Sequence, residues 1–140
     1  MRIHADKIDD GPRHGLSKGE VRLILTAVPA EWVAGLNEVR LANGPGPRAY
    51  MFQSEGRLTI YSRGATERQI LREVLSALAA PFLNITNVVA RGPSGPEQRR
   101  LDRYIQPVLD ELLTELAEMG KRSPQAHTPL QPAPFSNDAA

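Results

Sequence analysis

The residues of this 140-residue chain that could do chemistry are few and widely separated. There is no cysteine, so disulfides, thiolate metal ligands and a cysteine nucleophile are excluded. The histidines are His4, His14 and His127, at no spacing typical of a metal site. A serine nucleophile such as Ser76 would need a histidine base within hydrogen-bond reach, and we expect none in the folded core. These residues therefore indicate no catalytic or metal-binding site.

The densest group of carboxylates lies in the last apolar-periodic segment. It comprises Asp110, Glu111, Glu115 and Glu118. Paired carboxylates can serve general acid–base catalysis. Their spacing, however, places them opposite the apolar side of a predicted helix, which is typical of a solvated face. We interpret them as surface charges, and a small hydrolase with an unrecognised active site is kept as an alternative.

Arginines cluster around the start of the last predicted helix. Arg91, Arg99, Arg100 and Arg103 could form a basic patch that binds phosphates or an acidic protein surface. The whole chain carries 17 basic and 16 acidic residues, a net charge of +1, so it has no general attraction for nucleic acid or membranes. A local interaction through this cluster is the electrostatic feature that the sequence favours.

The aromatic residues bear on which partner such a cluster would bind. Trp32, Tyr50, Phe52 and Tyr61 are distant in sequence from the arginines and do not interleave with them. A stacking platform for single-stranded nucleic acid combines rings with basic residues. The pattern therefore argues against such a platform, and we predict that these rings lie in the core.

Three capping-box spacings indicate where helices begin: Ser17 with Glu20, Thr66 with Gln69, and Ser94 with Glu97. The first predicts a short helix over 21–28, followed by a turn that begins at Pro29. The second predicts a core helix over 66–80 that Pro81 limits. The third predicts a long helix over 97–119 that ends at Gly120 and is bent at Pro107. The apolar stripe of the core helix comprises Ile70, Leu71, Val74, Leu75, Leu78 and Phe82. The stripe of the long helix comprises Leu101, Tyr104, Ile105, Val108, Leu109, Leu112, Leu113 and Leu116.

Between the first two helices the apolar period changes to two, which predicts strands over 38–41, 48–54 and 57–62. The second of these is apolar on both faces, so we expect it to be central or covered. The fold class expected is α+β, with a small antiparallel three-stranded sheet covered by helices. We predict a flexible N-terminal arm or a strand added late over 1–16, one α+β domain over 17–120, and a disordered proline-rich tail over 121–140.

The order of elements over residues 29–80 resembles the minimal scaffold of zincin-type metallopeptidases. In that family the helix after the third strand carries His-Glu-x-x-His, in which two imidazoles bind zinc and the Glu is the general base. Here the same frame contains Ser76, Ala77 and Ala80 at the ligand and base positions. The resemblance therefore implies a zincin-like fold that has lost its activity, a pseudoenzyme with neither metal nor cofactor.

Together these patterns predict a non-enzymatic regulatory protein that docks on a larger macromolecular assembly. A phage or bacterial transcription regulator that binds RNA polymerase is one concrete form, and the alternatives are the hydrolase and a nucleic-acid binder that uses the arginine cluster. The predicted contact residues are Arg91, Arg99, Arg100, Arg103, Lys121, Arg122, Leu130 and Phe135. No segment approaches the ~20 apolar residues of a membrane span, and residues 1–11 lack the apolar stretch of a signal peptide, so we expect a cytoplasmic protein.

Overall fold

The computed structural model describes residues 1–85 and 94–122, the last three by their backbone alone. Its strands are β1 (Arg2–Ala5), β2 (Glu38–Leu41), β3 (Arg48–Phe52) and β4 (Arg57–Tyr61). Its helices are α1 (Lys18–Ala27), α2 (Glu67–Ala79) and α3 (Gly95–Arg122). Short 3-10 turns cover Ala30–Trp32, Gln53–Glu55 and Ala80–Leu83. The predicted α+β class is confirmed.

The sheet is mixed and has four strands in the order β1-β2-β4-β3. β2 pairs in parallel with both β1 and β4, and only β3 runs antiparallel to its neighbour. The prediction of a three-stranded antiparallel sheet is therefore wrong in strand number and direction. The alternation of apolar residues identifies the faces of a strand, but it contains no information on which strands pair. β3, which was expected to be central or covered, is an edge strand.

Two alternatives were predicted for residues 1–16, a flexible arm or a strand added late. The structure contains a strand in this segment, β1. β1 pairs with β2 in the register Arg2 with Glu38 through Ala5 with Leu41. Directly after β1, the Asp6 carboxylate accepts two hydrogen bonds from Arg40, at 3.1 and 2.8 Å, and one from the backbone N–H of Asn43. These bonds join the first residues of the chain to the sheet.

All three predicted capping boxes are present. In each, the hydroxyl accepts from the N3 backbone N–H and the N3 side chain accepts from the cap backbone N–H, as between Ser17 and Glu20 at 3.1 and 2.8 Å. The predicted end of the long helix at Gly120 is wrong, because α3 continues to Arg122. A glycine costs a helix about 1 kcal/mol relative to alanine, which does not by itself end it.

The helices pack on one face of the sheet and enclose a single apolar core. Val39, Leu41, Leu58 and Ile60 of the two central strands are almost fully buried beneath them. Each long helix contributes a stripe at helical spacing, as its sequence predicts. The buried members are Ile70, Leu71, Val74, Leu75 and Leu78 of α2, and Leu101, Ile105, Leu109, Leu112 and Leu116 of α3.

Several predicted core residues lie elsewhere. Phe82 is 46% exposed, because α2 ends before Pro81 and the helical period that would bury this ring stops with it. Tyr50, Phe52 and Tyr61 are half-buried on the outer face of the sheet, while Ala49 and Met51 of the same strand face the core. There Arg48 lies over the Tyr61 ring at 4.6 Å and Arg57 over the Phe52 ring at 4.9 Å.

Within 1–85 and 94–122, no helix has both the length and the apolar character needed to cross a membrane.

Candidate protein-docking surface

The predicted contact residues do not form one cluster. Arg99, Arg100 and Arg103 lie exposed on the first turns of α3. Lys121 and Arg122 lie in its last turn, and the 18 residues from Arg103 to Lys121 correspond to ~27 Å of helix axis. Arg91, Leu130 and Phe135 are outside the described residues. The surface that can be defined is therefore the one around the start of α3.

Tyr104 occupies the centre of this surface. It was predicted as part of the apolar stripe of the long helix, yet its side chain is 42% exposed. Its ring stacks on Trp32 with ring centroids 5.7 Å apart and an interplanar angle of 28°. Trp32 is itself only 5% exposed and was correctly predicted to be in the core, in the turn that Pro29 leads. The exposed tyrosine ring is thus supported from below by a buried indole.

A shallow depression of about 270 Å³ lies beside Tyr104 and is lined by Leu83, Arg100, Arg103 and Tyr104. Leu83 is the last residue of the 3-10 turn that follows α2. The next residue, Asn84, caps this turn in the left-handed backbone region with φ 58°. The Arg100 guanidinium donates a hydrogen bond from Nη2 to the Leu83 carbonyl oxygen at 3.3 Å. This bond connects the turn to α3. We call the residues around the depression the α3 patch, comprising the half-buried Leu83 and the exposed Phe82, Arg99, Arg100, Arg103 and Tyr104.

The positive charges of the α3 patch are not neutralised by described side chains, and two of them, Arg100 and Arg103, line the same depression. Arg99, Arg100 and Arg103 form no ion pair with any side chain in the part of the chain that the structure describes. Four other arginines are neutralised within the molecule, whereas Arg13, Arg22, Arg48, Arg63 and Arg68 form no ion pair with the described side chains either. The pairs are Arg2 with Glu38 at 3.4 Å, Arg40 with Asp6 at 2.8 Å, Arg57 with Glu55 at 2.8 Å and Arg72 with Asp102 at 3.0 Å.

The arginines of the α3 patch lie in the second and third turns of α3, beyond the first turn in which the helix dipole is felt. The positive potential here therefore comes from the guanidinium groups themselves. It attracts anionic groups, and guanidinium groups bind carboxylates in bidentate geometry.

The frame that corresponds to the zincin motif covers the buried C-terminal end of α2 and the first residue of the 3-10 turn after it. Ser76, Ala77 and Ala80 are 8%, 6% and 3% exposed. The two histidines in the described residues both contact Asp6: His14 Nε2 lies 2.9 Å from its carbonyl oxygen, and His4 Nε2 3.5 Å from its carboxylate. Within 1–85 and 94–122, no group of three or more acidic or histidine side chains is arranged to hold a metal ion.

The chain matches no protein-family model, no curated protein and no solved structure. The candidate site therefore depends on its own geometry.

Sequence reasoning missed Phe82 and Leu83 as members of this surface, and it missed that Trp32 supports Tyr104. A signal for the first two was present, because two large apolar residues directly after a helix-ending proline cannot continue the buried stripe. No comparable signal pairs Trp32 with Tyr104, because the contact joins elements that are distant in sequence.

Proposed function

We propose that the protein is a non-enzymatic docking module whose α3 patch binds an acidic surface of a protein partner within a larger assembly. The observation that carries this proposal is Tyr104, exposed and stacked on buried Trp32, beside Arg100 and Arg103, which have no ion pair in the described part of the chain. Residues that dominate binding energy at protein interfaces are enriched in Trp, Tyr and Arg, and they sit against well-packed surroundings.

The local geometry favours binding because the patch is largely organised before a partner arrives. Tyr104 loses little freedom on binding, since its ring already rests on Trp32. Arg100 is oriented by its hydrogen bond to the Leu83 carbonyl oxygen. A partner carboxylate at the depression would meet a positioned guanidinium, while an apolar partner side chain would contact Leu83 and the tyrosine ring.

A protein partner is favoured over single-stranded nucleic acid by the distribution of rings and charges. Proteins that bind single strands stack successive bases on several rings along a basic groove. The α3 patch offers Tyr104 and the separate ring of Phe82. The row formed by Tyr50, Phe52 and Tyr61 lies on the face of the sheet that the helices leave uncovered, with Arg48 and Arg57 over its rings, so it is a surface separate from the α3 patch.

The finer forms of this function are also proposals. A phage or bacterial regulator of RNA polymerase is one, and a scaffold of zincin type is another. The order of α1, the turn led by Pro29, three strands and α2 supports the scaffold, and the serine and alanines in the motif frame support a function other than hydrolysis.

Affinity capture with matched charge-reversal variants tests the docking function. The full chain is used as bait in a lysate of its native host, beside R100E/R103E and a control, R13E/R22E, which reverses two exposed arginines outside the patch. We expect a defined protein to be recovered by the wild type and the control and lost by R100E/R103E. Recovery of the same proteins by all three baits would contradict the proposal. A partner that is nucleic acid would instead show affinity falling by roughly one power of the salt concentration per phosphate contact.

A further inference from the structure

A second cavity lies between α2 and α3. It is an open groove of about 480 Å³, within the usual range for sites that hold a small ligand or a side chain. Its floor is apolar and is formed by Ile105 and Leu109, and its walls carry Arg68, Arg72, Glu73 and Asp102. None of its lining residues belongs to the α3 patch, so occupancy of the groove and docking at the patch are separate questions.

Two of the four charged groups satisfy each other. Arg72 donates hydrogen bonds from Nε and Nη2 to the two oxygens of Asp102, at 3.0 and 3.1 Å. Gln98 donates a further bond to Asp102 at 2.9 Å. These hydrogen bonds, those from Arg72 first, hold the pKa of Asp102 below its usual range. The pair is therefore a completed interaction that joins the two helices.

Glu73 is left without such a partner. Its side chain is half-buried, and its carboxylate forms no hydrogen bond or ion pair with the described residues. Burial raises the pKa of Glu73, the nearby Asp102 adds to the rise, and Arg72 only partly opposes it. A partly desolvated carboxylate that no hydrogen bond or ion pair satisfies is unfavourable, so a cation placed beside it would gain free energy.

We propose that this groove binds an alkyl chain that ends in a cationic nitrogen group, with the ammonium or guanidinium on the Glu73 carboxylate and the alkyl chain on Ile105 and Leu109. Long basic side chains commonly divide in this way between an apolar surface and a charged partner. The same chemistry is supplied by a free alkyl amine or by a lysine or arginine side chain of a protein. Arg68, exposed at the rim, would instead favour an anion, so the charge preference of the groove is the property to test.

The experiment is a titration of the full chain followed by ¹H–¹⁵N NMR. The probes are n-butylguanidinium, its anionic counterpart butyrate, neutral n-butanol, and an arginine capped at both ends. The variant is E73Q, which preserves shape and removes charge. The matched control is E111Q, the same change at an exposed carboxylate on α3 outside the groove.

We expect saturable shifts confined to 66–73 and 102–109 with n-butylguanidinium, and at least tenfold weaker shifts with butyrate or butanol. E73Q should weaken n-butylguanidinium binding by about tenfold, the effect of losing one charge-assisted hydrogen bond, and E111Q should not change it. Binding of the capped arginine as tightly as n-butylguanidinium would identify a protein side chain as the source, and binding of the free cation alone would identify a small amine.

Three results would overturn the proposal. They are the absence of saturable shifts with either cation, binding of butyrate as tight as that of n-butylguanidinium, and unchanged binding by a folded E73Q variant. Because E73Q removes an unfavourable buried charge, we expect it to fold, and its amide spectrum away from the groove verifies this directly.

Discussion

The rings of Trp32 and Tyr104 stack at 5.7 Å, and this contact joins the turn after α1 to the first half of α3. One ring is buried and the other reaches solvent. A core residue therefore determines the position of an exposed one. Arg100 and Arg103, which form no ion pair with the described side chains, lie beside a ring that is already stacked on Trp32, which is why the patch is proposed as the docking site.

Substitution of Tyr104 tests the stacking contact between Trp32 and Tyr104. We predict that Y104A lowers the free energy of unfolding by about 1 kcal/mol, because it removes an aromatic pair and part of the cover over Trp32. Trp32 is the only tryptophan in the chain, so its fluorescence reports the change without interference. The emission maximum should shift to longer wavelength in Y104A and stay unchanged in Y104F, which keeps the ring. An unshifted emission in Y104A would show that the two rings are not in contact.

The ion pair of Asp6 with Arg40 should make the free energy of unfolding depend on pH in the acid range. Hydrogen bonds from Arg40 hold the pKa of Asp6 below its ordinary value of 3.8. The folded state therefore gains stability from the charged form above that pH, and the gain is lost as pH falls through the lower folded pKa. We predict that D6N lowers the free energy of unfolding at neutral pH by about 0.5 kcal/mol, since Arg40 is half exposed to solvent.

Urea denaturation measured as a function of pH checks this prediction. The difference between the wild type and D6N should shrink as pH falls below 3.8 and through the lower folded pKa, where the wild-type carboxylate also becomes uncharged. D9N is the control, because Asp9 is almost fully exposed and its only ion pair in the described part of the chain is a 4.0 Å contact with Lys7. A D6N curve parallel to the wild-type curve at all pH values would contradict the proposed linkage.

Glu73 should change the free energy of unfolding with pH in the direction opposite to Asp6. Burial raises its pKa above the ordinary 4.5, so the folded state takes up a proton before the unfolded state does. Stability from this group therefore increases as pH falls through the raised pKa and decreases again as pH rises. We predict that E73Q is more stable than the wild type at neutral pH, by about 0.5 kcal/mol, and that this difference disappears below pH 4.5.

The same denaturation series on E111Q provides the control for Glu73, because that carboxylate is exposed. A less stable E73Q at neutral pH would mean that Glu73 has a favourable partner, which would also remove the basis for a cation in the groove.

Ser76 provides a test of the motif frame. Its hydroxyl is buried and has no hydrogen-bond partner in the described residues. A buried polar group without a partner costs free energy, and alanine is also the better helix former. We predict that S76A raises the free energy of unfolding by about 1 kcal/mol in chemical denaturation, while S54A, at an exposed turn position, changes it little. A marked loss of stability in S76A would show that the hydroxyl has a structural or functional role.

The features that the sequence predicted correctly are local. Capping boxes act over four residues and the helical period over a few turns, so the helix starts at Ser17, Thr66 and Ser94 could be read directly from the residues. The sheet was mispredicted because pairing is set at long range. Tyr50 and Ala49 are both acceptable in a buried strand, and what places Ala49 inside is that the helices cover only that face.

In the candidate site, too, local features could be predicted from the sequence and long-range contacts could not. The arginines Arg99, Arg100 and Arg103 were identified from their spacing, since a helix start rich in arginine is visible in the sequence. Whether those charges are paired depends on tertiary neighbours, and so does the support of Tyr104 by Trp32. The groove beside Glu73 forms only when α2 and α3 pack together, so no local pattern could reveal it.

The docking proposal is tested most directly by photo-cross-linking from the patch itself. A photoreactive phenylalanine derivative such as p-benzoylphenylalanine replaces Tyr104 in one bait and the exposed Ser54, in the turn between β3 and β4, in the other. We predict that the bait labelled at position 104 cross-links one defined protein through an acidic segment, and that adding R100E/R103E abolishes the product. Equal cross-linking from positions 54 and 104, or a product that survives R100E/R103E, would contradict docking through the α3 patch.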